Sequence, residues 1–178
     1  MATDEKMATS GISMQPKQQF LTFTLGSSEY GVKITDIQEV RGWEGVNALP
    51  RTPKCIAGII SLRNNIIPVI DLRLRLNLIQ REYDDKTVVA IIKMRLDVTE
   101  QLVGIVVDSV SDVLDATSDQ IKNPPNFGKL EDSAIIAGLI SNHDNMVIII
   151  DAGQLISKSE LVNLDGKIKM YGAMAGGE

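Results

Sequence analysis

The chain has 178 residues, a formal net charge of −5, 44% apolar residues and only 4% aromatic ones. That length fits one domain or two small ones with an aliphatic core, and the charge balance argues against nucleic acid as the main partner, because phosphate binding needs clustered Lys and Arg. The single cysteine, Cys55, excludes an intrachain disulfide framework and fits a reducing compartment. No apolar run approaches the roughly 20 residues that span a bilayer. No signal-peptide pattern is visible either, so a soluble cytoplasmic protein without direct membrane insertion is the default expectation.

Residues 1–17 are polar and aperiodic and read as a disordered tail. Phe20 to Leu25 alternates apolar residues with Thr and reads as a strand, turned by Gly26-Ser27-Ser28 into a hairpin partner carrying Tyr30, Val32 and Ile34. Thr35 to Arg41 reads as a short helical turn, with Ile37 and Val40 sharing a face and Glu39 toward solvent. Gly42 to Pro53 is a loop, punctuated by Gly42, Gly45, Pro50 and Pro53.

Ile56 to Leu62 and Ile66 to Ile70 form the arms of a hydrophobic hairpin, with Arg63-Asn64-Asn65 at its tip. β-Branched residues fill both arms because branching at Cβ suits a pleated, packed surface. Asn tolerates the left-handed backbone of such a tip, and Asp71 is placed to cap a following helical turn. Pro68 cannot donate a ladder hydrogen bond, so its arm is expected to be an edge or to bulge. Asp71 to Leu78 then reads as a short amphipathic helix with Arg73 and Arg75 outward. Gln80 to Lys86 reads as a charged linker between two halves.

Thr87 to Lys93 reads as a buried strand, Asp97 to Gln101 as a polar turn, and Leu102 to Asp108, apolar on both faces, as a central strand. Lys122 to Gly128 is a loop and Ile135 to Asp151 a second hairpin. Ser157 and Glu160 form a capping-box pattern for a helix through about Leu164, stopped by Gly166, with a flexible end.

The two hairpins repeat one another. GIISLRNNIIPVID from Gly58 aligns without a gap with GLISNHDNMVIIID from Gly138, an offset of 80. Gly58, Ile60, Ser61, Asn65, Ile70 and Asp71 match Gly138, Ile140, Ser141, Asn145, Ile150 and Asp151. A weaker echo at an offset of 73 sets Gly31-Val32, Ile37 and Glu39-Val40 against Gly104-Ile105, Val110 and Asp112-Val113. A fixed-offset repeat means duplicated architecture. Short strands without long helices between them argue all-β, and paired small barrels or sandwiches would close their edges.

No catalytic constellation is present. His143, the lone histidine, lies at a hairpin tip without convergent metal ligands. Cys55 reads as a small buried hydrophobe, since no base or cationic setting accompanies it. Asp71 and Asp151 read as two equivalent helix caps, Gly104 as a close-packing glycine, and Gly128-Lys129 lacks the rest of a phosphate-binding loop. No catalytic residue, metal or cofactor is expected; what remains is surface for partners, with Arg63 and Glu39 as the charges to single out.

EYGVKITDIQEVRG, the Pro50-bearing loop, GIISLRNNIIPVIDLR, TVVAIIK and LVGIVVDSVSDV resemble CheW, the family of bacterial chemotaxis coupling proteins, from about Gln19 to Ser157. The resemblance implies two five-stranded SH3-like or OB-like β-barrels related by duplication and partly strand-exchanged, with short helices. It divides the chain into a tail (1–17), a first barrel (18–86), a second barrel (87–157) and a C-terminal helix with a flexible tail (158–178). It also implies a non-enzymatic adaptor joining chemoreceptor cytoplasmic domains to the regulatory domain of the histidine kinase CheA. Such an adaptor is expected to be a monomer alone, cytoplasmic, and assembled into receptor arrays at the inner face of the membrane. Arg63 matches the family's hairpin arginine and Glu39 its acidic residue after the second strand. Ile37, Val88 and Val113 fall at apolar positions of a receptor-helix groove, and Gly58 and Gly104 at structural glycines. The family's Asn-Leu-Arg-Gly tip is here Ser61-Leu62-Arg63-Asn64, and Asn64 is expected to hold the same turn. Two other readings stay open: a regulatory domain related to that of CheA, and a small-ligand or enzymatic barrel.

Overall fold

The computed structural model describes residues 14–125 and 134–175. Residues 14–17 of the expected tail carry no regular structure; residues 1–13, part of the loop expected at 122–128, and the last three residues of the chain lie outside the described residues. The strands are β1 (Gln18–Leu25), β2 (Ser28–Lys33), β3 (Ile37–Gly42), β4 (Ile56–Leu62), β5 (Asn65–Asp71), β6 (Val88–Leu96), β7 (Thr99–Val107), β8 (Ser109–Ala116), β9 (Ile121–Lys122), β10 (Ile136–Asn142) and β11 (Asn145–Ile150). The helices are α1 (Leu72–Arg75) and α2 (Lys158–Ala175).

Two sheets result, in the orders β8-β1-β2-β11-β10-β9 and β3-β6-β7-β5-β4. The fold is all-β, built of two barrel-like units, and the two-residue β9 makes one sheet six-stranded rather than five. Each unit joins two strands of one repeat to strands of the other: β1 and β2 pair with β8 and β11, while β6 and β7 pair with β3 and β5. The sheets therefore cut across the chain position 86/87, and the exchange runs both ways. In each unit the exchanged hairpin joins by a parallel contact, β5 to β7 and β11 to β2. In the second unit the chain beyond β3 reaches the far end strand: Asn47 and Ile59 exchange backbone hydrogen bonds of 2.9 and 2.8 Å. That contact joins the two edges of the sheet, which an open sheet would leave unpaired.

The core has three parts. Leu62, Ile67, Val69, Val89, Ile91 and Val106 fill one barrel. Phe20, Ala116, Ile140, Val147 and Ile149 fill the other. The largest cluster draws on both sheets and on α2, with Phe23, Val32, Ile70, Ile92, Ile105, Leu161 and Leu164 among its members. β6 alternates between them, Val89 and Ile91 into its own barrel and Ala90 and Ile92 into the shared cluster. This is why its sequence is apolar on both faces.

Four expectations fail for identifiable reasons. Thr35 to Arg41 is not a helical turn: a 3-10 turn covers Ile34–Asp36 and β3 follows. A helix this short is marginal alone, whereas the edge of β6 supplies backbone partners from Ile37↔Ile92 to Gly42↔Val88. The register shifts between Ile37 and Glu39, so Ile37 and Val40 lie opposite Ile92 and Ala90 on one face of β6; Ile37 packs on the shared core and Val40 is left 43% exposed. Pro68 is in neither an edge strand nor a bulge, since β5 lies between β4 and β7 and the register shift falls between Ile56 and Gly58. Its partner Ile59 spends its own N–H and C=O on Asn47, so Pro68 turns its nitrogen away from β4. The β7 pairing starts only at Val69, so the missing donor falls outside the registered pairs. In the other copy, Ile148 is paired with Tyr30 at the equivalent position.

α1 spans only Leu72–Arg75, and its arginines are not outward: Arg73 reaches Asp108 and Arg75 reaches the Leu155 carbonyl. Gly166 does not stop the last helix, which runs on to Ala175. Glycine costs about 1 kcal/mol against alanine in a helix. Leu161, Leu164 and Ile168 are 2%, 3% and 8% exposed along one stripe. At about 1.5–3 kcal/mol for each such side chain, docking outweighs the glycine. The Ser157–Glu160 capping box is formed reciprocally, at 2.8 and 3.2 Å.

Candidate functional site

Leu62 pairs with Asn65, which leaves Arg63 and Asn64 as a two-residue turn, one residue shorter than expected. Both have positive φ, +48° and +68°. That combination is a type I′ turn, whose twist matches the strands it joins. Asn64 therefore sits in the left-handed region that the turn requires.

The closed sheet carries β3 alongside this tip. Arg63 Nη2 donates to Glu39 Oε2 at 2.9 Å, and Arg41 Nε lies 3.9 Å from the other carboxylate oxygen. Arg63 is 71% exposed and Glu39 22%, so the arginine stands in solvent on a carboxylate anchored in the barrel wall. Gln38, Leu62, Asn65, Lys93, Glu100 and Leu102 line an open groove of about 340 Å³ with Arg63. Val40 and Ile66, 43% and 42% exposed, are large apolar side chains left uncovered on the same strands.

The remaining expected positions are spread out. Ile37 and Val88 are half-buried against the shared core, on β3 and β6. Val113 lies on β8 in the other sheet and is 42% exposed. The structure thus brings Arg63 and Glu39 together, places Ile37 and Val88 at the margin of the shared core, and sets Val113 apart from all four. Duplication explains part of this. Val113 and Met146 are the repeat counterparts of Val40 and Ile66, and they too are exposed, at 42% and 56%. Ile37 and its counterpart Val110 both pack on the shared core. Ile37 and Val110 thus serve packing between the barrels, while Val40 and Val113 are left uncovered. Of the two charges only the acidic one recurs in the second copy: Asp112 stands for Glu39, while His143 stands for Arg63.

Gly58 and Gly104 are close-packing positions. A Cβ at Gly58 would lie 2.4 Å from the Asn47 carbonyl oxygen, and one at Gly104 would lie 3.0 Å from Val89 Cγ1. His143 is an exposed turn residue. Cys55 packs at the edge of the shared core, and burial pushes its thiol up rather than toward the thiolate. Asp71 and Asp151 are the caps expected, accepting from the Leu74 and Gly153 amides at 3.3 and 2.9 Å. Buried Asp71 also accepts from the Tyr83 hydroxyl, and desolvation pushes that phenol far up. Tyr83 in turn packs on Trp43, ring centroids 4.2 Å apart, which pins the linker between the halves. No cluster of three or more metal-ligating side chains occurs among the described residues.

One pair was not legible as special. Arg73 Nε donates to Asp108 Oδ1 at 2.7 Å and its Nη2 donates to Oδ2. The Arg73 hydrogen bond holds the Asp108 carboxyl below the usual range, and Asp108 raises Arg73 in return. An isolated acid ending an apolar strand was the available signal.

A model of the CheW-like domain matches residues 19–160. The chain belongs to the CheW-like family. It is 37% identical over 171 residues to the chemotaxis protein CheW of Klebsiella aerogenes, covering 96% of this chain and 98% of that one. It is 30% identical to the chemotaxis protein CheW of Bacillus subtilis, covering 79% and 88%. A crystal structure of the scaffolding protein TtCheW from Thermoanaerobacter tengcongensis superposes with a TM-score of 0.72 at 32% identity, over 83% of this chain and 94% of that one. The two-barrel arrangement with exchanged hairpins is thus a CheW-family fold.

Proposed function

We propose that this CheW-family chain is a non-enzymatic adaptor that couples chemoreceptor cytoplasmic tips to the histidine kinase CheA in chemotaxis signalling. The observation that carries the reading is the exposed Arg63 paired with Glu39 at a type I′ tip, with Val40 and Ile66 uncovered on the neighbouring strands, in a chain of this family. An exposed charge near uncovered apolar side chains suits protein recognition, where rim charges set partner choice and on-rate more than affinity. Burying Val40 and Ile66 would supply affinity, since apolar area removed from water drives association.

The kinase's regulatory domain is the partner for this face. An amphipathic receptor helix would lay its apolar side along the margin where Ile37 and Val88 emerge from the shared core, and toward Val113. The adaptor works from the cytoplasmic side, as a monomer recruited into receptor arrays. Signal passes because receptor conformations bind the ternary complex with different free energies. The test mixes the chain with a receptor cytoplasmic fragment and the kinase. A receptor-dependent change in kinase activity on adding the chain is expected; its absence, with both partners active, refutes the reading.

A further inference from the structure

Asp108 is the single residue between β7 and β8, the point where the chain passes from one sheet to the other. On one side it is tied to the β1–β2 turn. Its carboxylate accepts from the Gly26 amide at 2.7 Å, and its own amide donates to the Thr24 carbonyl at 3.1 Å. On the other side the same carboxylate takes the forked guanidinium of Arg73, on the helix that follows β5. Arg73 spends a further N–H on the Ile79 carbonyl at 3.0 Å, and Arg81 lies 3.6 Å from the carboxylate. The Arg73 and Asp108 side chains are 12% and 14% exposed. One carboxylate therefore holds elements of both barrels.

The internal repeat supplies a control. The counterpart of Asp108 is Thr35 (108 − 73) and that of Arg73 is Gly153 (73 + 80). The crossing from β2 to β3 thus lacks the pair; Arg75 also ties α1 to the segment after β11, by a bond of 2.6 Å to the Leu155 carbonyl, but Leu155 O is a neutral acceptor and not a carboxylate that can take a fork. This matters because the shared core is apolar. Apolar contact is non-directional; it resists separation of the barrels without itself prescribing one hydrogen-bonded angle. A bidentate arginine–carboxylate pair fixes distance and angle together. Each barrel also keeps an interior cluster of its own, so loss of the latch leaves both folded.

The geometry points to Arg73 and Asp108 as positioning residues that lock the angle between the two barrels, so that a partner held on one barrel is felt by a partner held on the other. This role rests on the adaptor reading above. Neither residue belongs to the Arg63 face.

The experiment compares the full chain with its Asp108→Asn and Arg73→Lys variants, which keep the shape and the charge respectively and remove the fork. Residual dipolar couplings report whether the two barrels share one alignment tensor. The wild type is expected to fit one tensor. The variants are expected to need two, with each barrel internally unchanged. Titration with the kinase alone or the receptor fragment alone should match wild type. The receptor-dependent change in kinase activity should fall about fivefold or more, the lower end of typical coupling between sites. A single tensor in both variants overturns the latch, and separate tensors with intact receptor control overturn its part in coupling. If Asp108→Asn fails to fold, Arg73→Lys decides alone. Absence of receptor control in the wild type would sink the adaptor reading instead, and the tensors would still judge the latch.

Discussion

Truncating Arg63 to Ala separates binding from stability. The arginine is 71% exposed and donates to Glu39 at 2.9 Å. Exposed pairs of this kind contribute about 0.2–1 kcal/mol. Glu39 is not orphaned by the change, because Arg41 remains 3.9 Å away. The left-handed backbone at position 63, φ +48°, costs Ala and Arg alike, so the turn adds nothing to the difference. The expected loss is about 0.5 kcal/mol, which lowers the melting temperature of a chain this size by about 1–2 °C. A double-mutant cycle with Glu39→Gln should return a coupling energy below about 1 kcal/mol. Assembly with the kinase and receptor should weaken far more than stability does, read by co-sedimentation of the ternary complex. A loss above about 2 kcal/mol would make Arg63 a structural residue. Unchanged assembly would remove the face proposed for the kinase.

Ile70→Ala empties a fully buried position in the shared core; urea unfolding should show a loss of about 2–5 kcal/mol, and a near-neutral result would contradict the packing of β5. Gly58→Ala sets a methyl 2.4 Å from the Asn47 carbonyl; a loss of about 1–3 kcal/mol is expected, and wild-type stability would contradict the close approach that closes the barrel. Asp108 ionises more readily in the fold than unfolded, because Arg73 favours its charged form. Its contribution is therefore present above the unfolded carboxylate range of about 3.9 and is lost as pH falls through the lower folded value. The stability gap between wild type and Asp108→Asn should shrink on acidification; a gap that stays constant from neutral pH to pH 3 would refute the linkage.

Much of this chain announces itself locally. The hairpin of β4 and β5 and its repeat carry their own signals, with β-branched arms, a tip that accepts positive φ, and an aspartate cap after each. Those signals depend on near neighbours in sequence, so they survive reading without coordinates. Gly104 was also legible, since glycine within a strand marks close approach, whereas Gly58 was marked only by the family resemblance. The segment after β2 was misread because its conformation is decided by β6, about fifty residues further on. The orientation of Arg73 was misread for the same kind of reason: its partner sits 35 residues away on another element.

The amino-acid order alone determined an aliphatic, duplicated, strand-rich chain, because residue type, alternation and repeat offset are local properties. Which strand of one repeat pairs with which strand of the other was decided only by the tertiary structure. So were the meeting of Arg63 with Glu39 and the clamp of Arg73 on Asp108. Each of these needs two segments far apart in the chain to meet, and burial of a common core, rather than any local preference, selects the partner.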